Sequence, residues 1–177
     1  NSNIVADDFL SEIITDLKES KSIHLAKPNS NEFLNRLKLL FGKTYDQDEI
    51  NKLANVKEND LEKFIKEKFL EKRNERIEIL GSNQAKEIEK RVFLQLIDEN
   101  WKMHIQYLEQ LRQVIGLRSY GQRDPLIEYK KEAFALFENL LNKLKNDLIV
   151  FLINMKIINN IEDKKNFNQN QNDKFKE

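Results

Sequence analysis

The stretch Leu111–Phe137, LRQVIGLRSYGQRDPLIEYKKEAFALF, decides how the rest of the chain is read. It begins inside one helical pattern and ends inside another, with a polar, basic break between them. Asp124 followed by Pro125 is a strong helix start, because an aspartate can accept from a first-turn amide and proline has no N–H to leave unpaired there. Upstream of the break, Phe93, Ile97, Trp101, His104, Leu108, Leu111 and Ile115 recur at spacings of 4, 4, 3, 4, 3 and 4. Downstream, Phe134, Phe137, Leu141, Leu144, Leu148, Leu152 and Met155 recur at 3, 4, 3, 4, 4 and 3. Both spacings mark an apolar face repeating every 3.6 residues. The first run predicts a helix from about Asn83 to Leu117, roughly 50 Å long at 1.5 Å per residue. A connection as short as Arg118–Asp124 makes its two helices antiparallel neighbours. The expected product is a long hairpin bent near Tyr120 and Gly121.

Before Gly81 the pattern breaks into shorter pieces. Phe9, Ile13, Ile14 and Leu17 mark one helix. Asn29 with Glu32 reads as a capping pair ahead of Phe33, Leu34, Leu37, Leu40 and Phe41, which Gly42 ends. Asp46 and Glu49 repeat the arrangement before Ile50 and Leu53. Asn59 or Asp60 opens a longer helix through Leu61, Phe64, Ile65, Leu70 and Ile77, closing at Gly81. Residues 1–81 are thus expected to form a compact helical unit, 82–158 the hairpin, and 159–177 a disordered polar tail too poor in apolar residues to offset its chain entropy.

Composition agrees with an all-α fold. Four Gly and two Pro among 177 residues are too few for the tight turns of a sandwich or barrel. Thirty Lys and Arg balance thirty Asp and Glu, which removes the sustained positive excess that nucleic acid or an anionic membrane surface requires. The chain has no Cys, hence neither disulfides nor thiolate metal ligands. No apolar run approaches the roughly 20 residues of a transmembrane helix, and the start, without Met or a basic-then-apolar leader, suggests a piece of something longer.

Candidate chemistry is sparse. Gly42-Lys43-Thr44 imitates the end of a phosphate-binding loop, but Leu37 stands where the earlier Gly belongs and no strand precedes it. The two His residues, His24 and His104, lie eighty positions apart without a carboxylate cluster at ligand spacing, so no metal site is expected, and His104 is expected to pack within its stripe. No catalytic residue is expected in the chain. The distinctive feature is the basic turn, where Arg112, Arg118, Arg123, Lys130 and Lys131 outnumber Asp124 and Glu128 around the ring of Tyr120. Such a tip either reaches into another molecule or folds back over the hairpin end.

These residues resemble a known family. The stretch Leu111–Phe137 is similar to the two-helix finger of the SecA family, the motor ATPases of bacterial preprotein export, and Gln95–Arg112, QLIDENWKMHIQYLEQLR, resembles that family's scaffold helix. The pattern LR-x-Y-x-Q-x-DP between two long amphipathic helices carries the resemblance, which is strong from Gln95 to about Met155. Residues 1–81 resemble the family's helical wing in position and helical character. The resemblance implies that Tyr120 meets the unfolded preprotein, with Arg118, Gln122 and Arg123 beside it at the entrance of the SecYEG channel, and that Trp101, Leu108 and Leu111 pack against Phe134, Phe137 and Leu141 to stiffen the finger. It also implies a parent that is cytoplasmic and peripheral on the inner membrane, with ATP and Mg²⁺ held by motor domains this chain lacks. The Cys-rich zinc tail of many members is missing too, and Val114 stands where some have Gly. A freestanding helical hairpin module for protein interaction, without enzymatic activity, is the alternative reading; an encoding frame with its own start codon near Asn1 would favour it.

Overall fold

The computed structural model describes residues 2–26, 31–116 and 124–155. Among them, six helices follow one another: α1 (Ser2–Ala26), α2 (Glu32–Phe41), α3 (Gln47–Asn55), α4 (Glu58–Leu80), α5 (Ser82–Ile115) and α6 (Pro125–Asn154). The all-α expectation agrees with this order. The expected tail, 159–177, lies outside the described residues.

Local signals set several of these boundaries. Asp46 accepts from the Glu49 amide at 2.8 Å while the Glu49 carboxylate accepts from the Asp46 amide at 2.9 Å, a reciprocal cap that starts α3. Gly81 ends α4 with φ +81°, a conformation costly for any side chain, and lets α5 begin immediately after it. Two expected starts moved. Helix α2 is preceded by Asn31, which makes no side-chain cap, and Asn29 lies outside the described residues. Helix α4 begins at Glu58, ahead of Asn59 and Asp60, because the extended residues Val56 and Lys57 already leave α3.

The core joins elements from both ends of the chain. Ala6, Leu10, Ile13, Ile14 and Leu17 of α1 meet Phe33, Leu37, Leu40 and Phe41 of α2, Ile50 of α3, and Leu61, Ile65 and Phe69 of α4. The same cluster takes in Leu148, Ile149, Leu152 and Ile153 from the end of α6, with Val92, Phe93 and Leu96 of α5 packed against it. Phe9 and Phe93 meet edge to face with ring centroids 6.2 Å apart. Gly81 is therefore a corner in the chain but not an edge of the core. Within α4 the buried aromatic is Phe69, whereas Leu70, read above as a core position, is half exposed.

Polar contacts hold the surrounding segments. The Lys21 ammonium is buried and donates to the Ala54 carbonyl at 3.0 Å and to that of Val56, satisfying acceptors left open where α3 ends. Burial pushes its pKa down, partly opposed by nearby Glu58. Asn154 donates to the Leu40 carbonyl at 2.8 Å, tying the end of α6 to α2.

Candidate functional site

Helices α5 and α6 are the longest among the described residues, 34 and 30 residues, and pack side by side. Their cross-contacts run in opposite chain directions. Asn100 on α5 faces Asp147 on α6 at 3.4 Å, and further along α5 the His104 ring lies 6.0 Å from that of Phe137, earlier on α6. At the far end Leu111 and Ile115 are buried, and Asp124 caps α6 by accepting from the Leu126 amide at 2.8 Å, with Pro125 at the first helical position. Between these ends lie residues 117–123. The four candidate contact residues, Arg118, Tyr120, Gln122 and Arg123, fall there, outside the described residues. Of the flanking basic residues, Arg112 pairs with Glu109 at 2.9 Å on the same face of α5. Val114, Leu126 and Ile127, the apolar residues nearest residues 117–123 in sequence, are exposed.

The stiffening contacts differ from those expected. On α6 the buried or partly covered positions are Ala133, Leu136, Leu140, Leu144 and Leu148, while Phe134 and Leu141 are 63 and 42 % exposed and Phe137, 41 % exposed, still meets the His104 ring of α5. On α5 the indole of Trp101 is half exposed and Asn100 is buried instead. Leu111 and His104 pack as expected. The reason is rotational. Leu148, Ile149, Leu152 and Ile153 must all enter the core at the base of α6, and one rigid helix carries that orientation outward, turning Leu140 rather than Leu141 toward α5. Asn100, a polar residue, was invisible to a search for apolar stripes. Its amide donates to the Leu96 carbonyl at 2.9 Å, and its Oδ1 is buried without a partner.

Beside Asn100 a cavity of about 200 Å³ opens between the two helices, lined by Met103, His104, Tyr107, Leu136 and Leu140. Its lining combines apolar surface with the His104 imidazole, the Tyr107 ring and Lys143, whose ammonium donates to Asp147. The phosphate-loop imitation resolves likewise. The Gly42 amide donates to Lys38 O, and those of Thr44 and Tyr45 donate to Phe41 O, so these amides close α2 and do not form a cradle for an anion. Among the described residues no group of three or more His, Cys, Asp or Glu could hold a metal ion, and no helix is long and apolar enough to cross a membrane.

A buried ion pair also escaped the sequence reading. Arg76 and Glu89, 1 and 4 % exposed, form an ion pair at 2.8 Å where a periodicity search expects apolar side chains. The available signal was negative: Glu89 and Arg76 lie at helical spacing from core positions Ala85 and Phe69 respectively.

Among the described residues, a helical core built from all six helices continues into one long helix pair, an all-α architecture. The model of the SecA Wing and Scaffold domain matches residues 2–156, and the chain belongs to that family. It is 61 % identical over 153 residues to the protein translocase subunit SecA of Pelagibacter ubique, covering 86 % of this chain and 18 % of that protein. To the subunit of the same name from Syntrophomonas wolfei it is 37 % identical over 115 residues, covering 65 % of this chain and 14 % of that protein. To that of Caulobacter sp. strain K31 it is 49 % identical over 79 residues, 45 % of this chain and 9 % of that protein. The chain spans less than a fifth of the length of these curated relatives.

Proposed function

We propose that this chain is the wing and finger region of a SecA-type motor, and that the turn between α5 and α6 touches unfolded preprotein at the SecYEG channel during ATP-driven export. The observation that carries this reading is the family match across residues 2–156, which takes in the whole of both long helices and the turn between them. The physical arrangement supports it. A helix of 34 residues is about 51 Å long, and with its base set in a shared core, its far end is held at a distance from the body. Tyr120 at that end suits a substrate of varied sequence, because its ring offers apolar contact while its hydroxyl bonds backbone groups. Arg118, Gln122 and Arg123 supply polar contacts to the polypeptide or to channel loops. The rest of the parent binds ATP and Mg²⁺ and works at the cytoplasmic face of the inner membrane.

The test is a cross-linking scan on the full-length protein carrying this chain. Tyr120→Cys, in a background free of other cysteines, should form an adduct with a preprotein stalled in the channel or with a channel loop, and only when ATP is supplied. Lys63→Cys, on the exposed side of α4, serves as the control. No adduct at position 120 under conditions that support export would overturn the reading.

A further inference from the structure

The buried charges around the Gly81 corner form an arrangement that packing alone does not require. Arg76 on α4 extends its guanidinium to two other helices. One nitrogen, Nη2, donates to Glu89 Oε1 on α5 at 2.8 Å, and the other, Nη1, donates to the Leu152 carbonyl on α6 at 2.6 Å. Leu152 lies in the last turn of α6, whose carbonyls have no partner within the helix and where α6 has no basic residue of its own. A cation from α4 thus caps α6 and meets the negative end of its dipole. Arg73, one turn earlier on α4, adds a fourth helix. Its Nη1 donates to Asp7 of α1 at 2.8 Å, its Nε lies 3.8 Å from Glu89, and its guanidinium sits 4.7 Å from the centroid of the Phe69 ring.

The cluster is an expensive way to gain stability. Two guanidinium groups face one buried carboxylate, the second carboxylate, that of Asp7, is half exposed, and Arg73 Nε, Arg73 Nη2 and Arg76 Nε are buried without hydrogen-bond partners. Buried ion pairs of this kind rarely stabilise a fold more than well-packed apolar residues of similar volume. What they add is direction. A planar guanidinium bonded at both ends accepts one relative placement of its partners, whereas apolar contacts tolerate sliding.

We propose that Arg76 and Glu89 form a corner lock, which sets the angle at which the α5/α6 pair leaves the body built from α1–α4. Arg76 and Glu89 straddle Gly81, the single residue joining α4 to α5, so their bond spans the corner at which the two helices would otherwise swing. The bond to Leu152 adds α6 to the same point. Wing and helix pair then move as one body, and any bending takes place further out along α5 and α6. Arg76 and Glu89 are positioning residues. The lock holds whatever the far turn touches, so it stands independently of the function proposed above.

The test measures angle and stability separately in the full-length protein carrying this chain. Lys63 on α4 and Lys102 on α5 are exposed, with side chains 75 and 70 % accessible, and accept spin labels. They lie roughly 27 and 32 Å along their helices from Gly81, so a swing of about 10° changes their separation by up to about 5 Å, depending on the angle between the helices. Electron-electron resonance should give a narrow distance distribution in the parent. Arg76→Lys or Glu89→Gln should lower Tm and broaden the distribution by a few ångströms, up to about 5 Å. The double variant Arg76→Met/Glu89→Leu removes both charges and fills their space. It should bring Tm back to within roughly 4 °C of the parent while the distribution stays broad. A double variant with a narrow distribution would overturn the lock, because apolar packing then suffices to set the angle. A double variant that melts as early as the single ones would also overturn it, because the pair would then serve the fold and not the angle.

Discussion

The two ends of the α5/α6 pair are built on opposite principles. At the base, α6 buries Leu148, Ile149, Leu152 and Ile153 against four other helices, and its last turn is capped by Arg76 from α4. Toward residues 117–123 the helices have chiefly each other, and Trp101, Ile105, Leu126, Ile127 and Phe134 remain open to solvent. The difference shows how one end of a helix pair sets the orientation of the other. Orientation is determined where burial is complete, and the helical backbone carries it outward to a region whose own packing could not determine it.

The largest expected effect tests the base. Ile149→Ala removes a side chain with no exposed surface and leaves a cavity in the shared core, so it should cost 2 to 5 kcal/mol in chemical unfolding. It should also loosen both the helix pair and α1–α4. Loss confined to α5 and α6, as read by amide exchange, would show that the base is not shared. A smaller effect is expected further out. Trp101→Ala removes a ring already 48 % exposed and should cost about 2 kcal/mol, below the 3 to 5 typical of a buried aromatic. Phe134→Ala, at a position 63 % exposed, should cost less than about 1 kcal/mol. If Phe134→Ala matched Ile149→Ala, the contrast between base and far end would fail.

The smallest effect concerns the surface of the body. Glu62 is held at a pKa of about 2, down from 4.5, by its hydrogen bonds to Lys18 and then Lys66, with burial opposing them. A carboxylate with a depressed folded pKa adds stability that is fully present above about pH 4.5 and is lost as pH falls toward 2. Glu62→Gln should therefore flatten the acid limb of the stability curve slightly and leave neutral stability nearly unchanged, since exposed pairs are screened. A large loss at neutral pH would mean that the α1–α4 contact depends on this pair far more than the core does.

Much of the fold was legible in the sequence because it depends on local chemistry. The Asp46/Glu49 box, the Asp124–Pro125 start and the Gly81 stop each satisfy or end backbone hydrogen bonds within one turn of chain, and all three stand where the pattern puts them. The two long apolar stripes foretold α5 and α6 to within a few residues. The expected contact set was less legible, since adjacent leucines such as Leu140 and Leu141 satisfy a 3.6-residue stripe equally well. Choosing between them needs the rotation of α6, which residues further along the helix decide. Arg76 and Glu89 were missed altogether, because charged residues on helices normally face water and only a partner on another helix reverses that expectation.

By itself, then, the sequence determined the helices, the caps of α3 and α6, the stop at Gly81, and membership of the SecA wing and scaffold family, all of which follow from short-range backbone chemistry or from residue identity along the chain. Tertiary structure alone decided which face of α6 meets α5, that the core runs past Gly81, and that two charges are buried at that corner. Those outcomes depend on residues that are distant in sequence meeting in space, and periodicity along one helix carries no record of its neighbour.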